Sequence, residues 1–230
     1  SILKYSGLNV KSLGTLGYYY NLKKISESSL TTPEKEEIHQ LSFKTKKPRT
    51  EFVFEVSSHS ISKKRINNLP INIAAITNIS QDHLDYHKTF KSYKNTKFQL
   101  FLKHLSINST AIINENIKGA TKLKQQLKKK NIKIITYGKK NSNVNYLNYK
   151  NKTKIKIYSK NYIVNFKTIN DFELKNLACS ICCCLAIGLE NKKIIKSISK
   201  INKPEGRMQL VDTLDNGAKI FVDYAHTPDA

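Results

Sequence analysis

The chain has 230 residues, 39% of them hydrophobic, enough for one large core or one core and a small appendage. No stretch is long and apolar enough to span a membrane, and no amino-terminal segment has the charged-then-apolar plan of a signal peptide; a cytoplasmic protein with no membrane partner is expected. The formal charge of +23 favours anionic partners, yet the lysines are scattered and the arginines are only Arg49, Arg65 and Arg207, poor equipment for reading bases or gripping phosphates. The lysines therefore read as a compositional habit and no nucleic-acid partner is expected, with a basic nucleic-acid-binding protein as the rival of another class.

Short apolar runs alternate with helical stretches, which predicts an α/β fold with a mostly parallel sheet flanked by helices and a small antiparallel section. Residues 1–6 read as the last turns of a helix, and residues 8–13 as a strand ending at Gly14-Thr15-Leu16-Gly17. Thr32 is placed as the N-cap of a helix running to about Leu41, with Pro33 at its first position. Residues 52–56 and 71–77 are nearly unbroken apolar strands, as expected where helices cover both faces. A helix over 89–105, a strand over 111–114, a helix over 118–130 and a strand over 132–137 continue the alternation. Between 144 and 167 the pattern changes, and the runs 154–158 and 162–166, separated by Ser-Lys-Asn, predict an antiparallel hairpin. Helices from Phe172 and from about Asn191 follow, then a loop at 204–207 and a strand pair at 210–214 and 219–222. Both ends look cut, and a fragment of a longer protein is expected.

The strand at 52–56 carries Glu55 and opens into Ser57-Ser58-His59, while the apolar run 71–79 leads into DHLDYH at 82–87. Two strands ending in polar, metal-competent side chains predict a site at the carboxyl edge of one parallel sheet. Glu55 and His83 suit a hard cation such as magnesium, although the imidazole leaves zinc open. His83 and His87 have the i, i+4 spacing of metal ligands but no evident third partner, and read equally as a structural or capping cluster. In the following helix Phe90, Tyr93, Phe98, Leu100, Phe101 and Leu105 make one apolar stripe, with Lys97 inside it and Lys94 near it. Either both lysines snorkel to water, or Lys97 points at the site, where burial favours the neutral amine and its carbamate, an anionic oxygen ligand. Cys179, Cys182, Cys183 and Cys184 lie in an apolar helix and read as core packing; a zinc site built from them with His83 and His87 is the alternative.

Four motifs in this order and spacing, EVSSH at 55–59, TNISQDHLDYH at 77–87, EGRMQLV at 205–211 and VDYAHTPDA at 222–230, resemble the Mur ligase family. Thr31-Thr32-Pro33 and the helix carrying Lys97 fit too, and Ser57-Ser58-His59 with HLDYH resembles the branch that adds the third residue of the peptidoglycan stem peptide. The resemblance implies a P-loop-NTPase-like central ATP-binding domain over 1–205 and the start of a carboxyl-terminal domain over 206–230. It implies a monomeric ATP-dependent acid–amino-acid ligase of cytoplasmic peptidoglycan biosynthesis. Its partners would be ATP, a UDP-N-acetylmuramoyl dipeptide and a free amino acid, meso-diaminopimelate or lysine, and its cofactor Mg2+. Carried over by position, Thr31, Thr32, Ser57 and Arg65 hold the dipeptide, with Lys63 where the family often has Gln. Glu55 and His83 become magnesium ligands, Lys97 the carbamylated lysine, and Asn176, Arg207, Asp223 and His226 the ATP contacts. Asn170 and Glu173 replace the glycine and asparagine that usually precede Asn176, a departure in the adenine pocket. The family's glycine-rich phosphate loop is expected before Ser1 and its amino-acid-selecting domain after Ala230, so the fragment alone is expected to be inactive. A folylpolyglutamate or cyanophycin-type ligase is the alternative within the superfamily.

Overall fold

The computed structural model describes residues 1–43, 49–166, 168, 170–202, 204 and 206–224. After a short helix α1 (Ile2–Tyr5), strands β1 (Asn9–Gly14), β2 (Gly17–Tyr20) and β3 (Lys23–Ser26) precede helix α2 (Lys35–Phe43) and strand β4 (Thr50–Phe54). These strands form one sheet of order β3-β2-β1-β4, with β1 and β4 parallel and the other pairs antiparallel. Helix α3 (Ser58–Ser62) follows β4. Then come β5 (Ile73–Ile76), α4 (Leu84–His87), α5 (Phe90–His104), β6 (Thr110–Asn114), α6 (Ala120–Lys129) and β7 (Lys133–Gly138). The antiparallel section is β8 (Val144–Tyr149), β9 (Lys152–Ile157) and β10 (Lys160–Val164), and helices α7 (Asp171–Ala186) and α8 (Asn191–Ile198) come next. The second sheet has the order β10-β9-β8-β7-β6-β5, parallel from β5 to β8 and antiparallel beyond. A ribbon of β11 (Gln209–Thr213) and β12 (Lys219–Val222) stands apart, exposed along both strands.

Strand β6, reading TAIIN, is buried at every position because helices cover both faces of the sheet. Its side chains divide by the two-residue period: Ala111 and Ile113 enter a core with α5 and α6, while Ile112 enters a second core with α7 and α8. The apolar stripe of α5 buries Tyr93, Phe98, Leu100 and Phe101 as the helical period requires, and Thr89 caps the helix by accepting from Ser92 N at 3.1 Å. Cys179, Cys182 and Cys184 pack in the second core and Cys183 lies at its margin, as the core-packing reading expects.

Three expectations need correction. The strands ending at Glu55 and at the DHLDYH segment do not share a sheet: β4 is hydrogen-bonded to β1, and β5 to β6. Apolar runs report burial but not which strand is the neighbour, and it is the first core that joins the two sheets by packing Phe52, Phe54 and Val56 with Ala74 and Ile76. Thr32 is not a helix cap, because its hydroxyl is spent on Glu55 and Ser57 and the helix begins three residues later, at Lys35. Finally, β2, β3, β8, α3 and α4 escaped prediction: α3 and α4 are single turns too short for a helical period, and the strands GYYY, KKIS and VNYLNY present no unbroken aliphatic run, so the expected hairpin is a three-stranded section.

Candidate functional site

Glu55 follows β4 and extends its ladder, its N–H donating to Leu13 O at 2.9 Å. The carboxylate turns toward the β1–β2 turn, where Oε2 accepts from Thr15 N at 3.1 Å and Thr15 Oγ1 at 2.9 Å. Gly14 permits this approach, since a Cβ there would stand 2.6 Å from Glu55 Cδ. Thr15 Oγ1 also lies 3.0 Å from Thr31 Oγ1. The buried Thr32 hydroxyl donates to Glu55 O at 2.8 Å and accepts from Ser57 N at 3.0 Å. Ser57 Oγ in turn caps α3 by accepting from Ser60 N at 3.1 Å. Arg65, with 11% of its side chain exposed, donates to Thr32 O at 3.0 Å and pairs with Glu34 at 2.7 Å. Its buried Nε has no partner among the described residues. Thr31, Thr32, Ser57, Arg65 and Glu55 are thus brought together, while Lys63 is exposed at the end of α3.

A second cluster forms around His83. This residue sits before α4 in the left-handed region at φ +52°, which costs a residue with a Cβ about 1 kcal/mol. Its N–H donates to Asp82 Oδ1 at 2.8 Å, and its Nε2 lies 3.4 Å from Asp82 Oδ2. The ring meets that of His59 edge-on at 4.8 Å, which ties α4 to α3. The Tyr93 ring of α5 lies tilted at 60° with its centroid 6.3 Å from that of His83, and Lys97 Nζ stands 4.8 Å over the Tyr93 ring. Burial draws the Lys97 amine below the ordinary lysine range, and Asp82 partly counters it. The Tyr93 phenol is pushed up to about 12, chiefly by burial, and stays protonated. His87 is buried with Nε2 2.9 Å from Ser58 Oγ, a satisfied structural histidine. Burial and then neighbouring imidazoles hold the His59 and His87 rings below the usual histidine value.

Among the described residues no three His, Cys, Asp or Glu side chains converge as a metal site. Glu55 and His83 belong to adjoining clusters linked through the 57–59 turn. Among the described residues both hydrogen bonds to the Glu55 carboxylate fall on Oε2 and none on Oε1, and Lys97 is a ligand only as a carbamate. With that change the donors are carboxylate, imidazole and carbamate, which fit a hard divalent cation.

Of the expected ATP contacts, Asn176 lies on α7, and Arg207 and Asp223 lie at the β11–β12 ribbon. Asn176 is exposed, and its carbonyl accepts from Ser180 Oγ. Arg207 is exposed with its guanidinium 5.5 Å over the Tyr224 ring, and Asp223 accepts from Met208 N at 2.7 Å. His226 lies outside the described residues. A cleft of about 290 Å³ between the β11–β12 ribbon and the β1–β3 hairpins is lined by Thr15, Tyr19, Asp223 and Tyr224, and Thr15 connects it to Glu55. Sequence reasoning assigned no individual role to Thr15, Asp82 or Glu34, although Asp82 lies in the DHLDYH segment it singled out. A Gly-Thr pair closing a strand signals the first, and the acid beside His83 the second; nothing in the sequence pairs Glu34 with Arg65.

A largely parallel sheet covered by helices, with polar clusters gathered at strand ends, is the architecture of the open α/β class. The chain belongs to the Mur ligase family, whose middle-domain model matches residues 1–184. It is 37% identical over 224 residues to the UDP-N-acetylmuramoyl-L-alanyl-D-glutamate--2,6-diaminopimelate ligase of Fusobacterium nucleatum, a match covering 96% of this chain and 45% of that protein. A solved structure of a ligase with the same name superposes with a TM-score of 0.80 at 23% identity, covering 99% of this chain and 47% of the other. A bifunctional folylpolyglutamate synthase/dihydrofolate synthase solved with Mn, AMPPNP and L-glutamate shares the fold at a TM-score of 0.70 and 16% identity, over 99% of this chain and 58% of that one. The chain spans less than half the length of the ligase relative.

Proposed function

We propose that the chain is the substrate- and nucleotide-handling part of an ATP-dependent ligase that joins an amino acid, meso-diaminopimelate or lysine, to UDP-N-acetylmuramoyl-L-alanyl-D-glutamate in the cytoplasm. The observation that carries this reading is the interlocked Thr15–Glu55–Thr32–Ser57–Arg65 network, joined through α3 and the His59–His83 ring contact to the cluster that holds Lys97, whose charge burial disfavours. Residues 1–205 form the central domain in this reading, and 206–230 begin the carboxyl-terminal one.

In the reaction a substrate carboxylate oxygen attacks the γ-phosphorus of ATP, the bond to ADP breaks, and an acyl phosphate results. The incoming amine then attacks the acyl carbon, loses a proton and expels phosphate. Both steps depend mostly on positioning and charge neutralisation. Arg65, already forked between a carbonyl and a carboxylate, matches the geometry of an anionic substrate group. Thr31, Thr32 and Ser57 set the wall beside it, and Lys63 adds charge at its rim. The neutral Lys97 amine forms an N–C bond to carbon dioxide and releases a proton, leaving a carbamate anion. Glu55, His83 and that carbamate would hold Mg2+, which when bound neutralises phosphate charge. Asn176, Arg207, Asp223 and His226 are the candidate ATP contacts.

The test is phosphate release by the complete protein supplied with ATP, the UDP-muramoyl dipeptide and each amino acid. Turnover that requires all three and stops with a chelator is expected. Turnover only with a folate and glutamate, the pairing suggested by the name of the synthase relative, overturns the reading.

A further inference from the structure

Residues 116–170 contain 15 lysines and no aspartate or glutamate, so the lysines are less evenly scattered than expected and the positive charge is densest in this stretch. Within it β8, β9 and β10 form the antiparallel section of the large sheet. One face of this section is sealed: Tyr146, Ile155, Ile157 and Val164 pack into the core with α7 and α8. The other face is open. Strict alternation places Lys152, Lys154 and Lys156 there, and the register sets Leu147 and Ile163 on either side of Lys154, with Tyr149 opposite Lys152. Leu147 and Ile163 are 59% and 57% exposed. The three lysines make no ion pair or side-chain hydrogen bond among the described residues. By contrast, Lys124, Lys139 and Lys175 all have acidic partners.

We propose that this face docks the protein on an anionic lipid surface. The charge complements acidic headgroups, each lysine near such a surface strengthening binding about fivefold. The two aliphatic side chains decide between occupants. A nucleic acid offers phosphates and stacking bases but no aliphatic environment to shelter Leu147 and Ile163. The boundary between headgroups and acyl chains accepts lysine and aliphatic groups together. The contact is peripheral, since no helix among the described residues is long and apolar enough to cross a membrane. It revises the expectation of no membrane partner, which considered only spanning segments. In the large sheet β10 and β5 are opposite edges, so docking leaves the strand-end site beyond β5 open. The inference is independent of the ligase reading.

The experiment is co-sedimentation of the full chain with vesicles of phosphatidylcholine, with and without phosphatidylglycerol. Binding is expected only with phosphatidylglycerol and is expected to weaken as salt rises. The combined Lys152→Glu, Lys154→Glu and Lys156→Glu variant should bind roughly a hundredfold more weakly. Leu147→Asn with Ile163→Asn, which keeps every charge, should bind about tenfold more weakly. Lys192→Glu, Lys193→Glu and Lys196→Glu on α8, across the sheet, should bind like the unaltered chain. Thermal melting of each variant verifies folding. Equal loss in the two lysine variants, no effect of the aliphatic pair, or retention of single-stranded oligonucleotide without vesicle binding each overturns the proposal.

Discussion

The Glu55 and His83 clusters adjoin, yet they are built in opposite ways. Around Glu55 almost every group is polar and cross-bonded: Thr15, Thr31, Thr32, Ser57 and Arg65 share hydrogen bonds that hold three loops in one arrangement. Around His83 the walls are rings, with His59, Tyr86, His87 and Tyr93 in mutual contact and few direct bonds. A bonded network fixes geometry, whereas an aromatic, desolvated pocket tunes charge. The proposed site, which would both orient an anion and discharge a lysine, uses both kinds of wall.

Breaking the second cluster should have the largest effect on chemistry. In the complete protein Lys97→Ala should lower ligase turnover by at least about a hundredfold, the scale of one lost electrostatic group, with little change in melting temperature. Wild-type turnover in that variant, with no dependence on bicarbonate, removes the carbamate role. Breaking the first cluster should instead cost stability. Thr32→Val strands a buried donor and acceptor and should cost about 1–3 kcal/mol in denaturant unfolding.

His87 sharpens the contrast, because it lies in the aromatic cluster but serves structure through Ser58. His87→Ala should cost about 2 kcal/mol by leaving a gap and an unpaired serine. Its pH signature has a definite sign. Burial and the His59 and His83 rings lower its folded pKa below 6.5, so the unfolded chain binds the proton more readily. Stability should be complete above about pH 6.5 and decline as pH falls from there through the lowered folded value. Melting temperature against pH tests this, and the decline should be shallower in His87→Ala. The smallest effect is expected for Glu34→Gln, since Glu34 is 62% exposed: about 0–1 kcal/mol by the same unfolding assay.

Much of this was legible in the residues. The stripe of α5 with Lys97 inside it follows from the helical period, and the core cysteines of α7 from the apolar character of their segment. The cover expected on both faces of 52–56 and 71–77 is met by neither β4, where Val53 is exposed, nor β5, where Ala75 is, but by β6. Elements of four or five residues such as α3 and α4 left no such trace, although they carry the turn that joins the two clusters. Thr32 shows the limit of local rules: Thr-Pro before an apolar run is a reasonable helix start, but a backbone N–H twenty-five residues later competed for the hydroxyl and won.

The amino-acid order by itself determined which segments alternate, which side chains must leave water, and which residues match the Mur ligase motifs; these are local or cumulative properties of the chain. Tertiary structure alone decided that β4 and β5 lie in separate sheets, that Arg65 is engaged by Glu34, and that three alternate lysines share an open face with Leu147 and Ile163. Strand neighbours and long-range partners are chosen by the packing of the whole chain, a competition among distant groups that no short window contains.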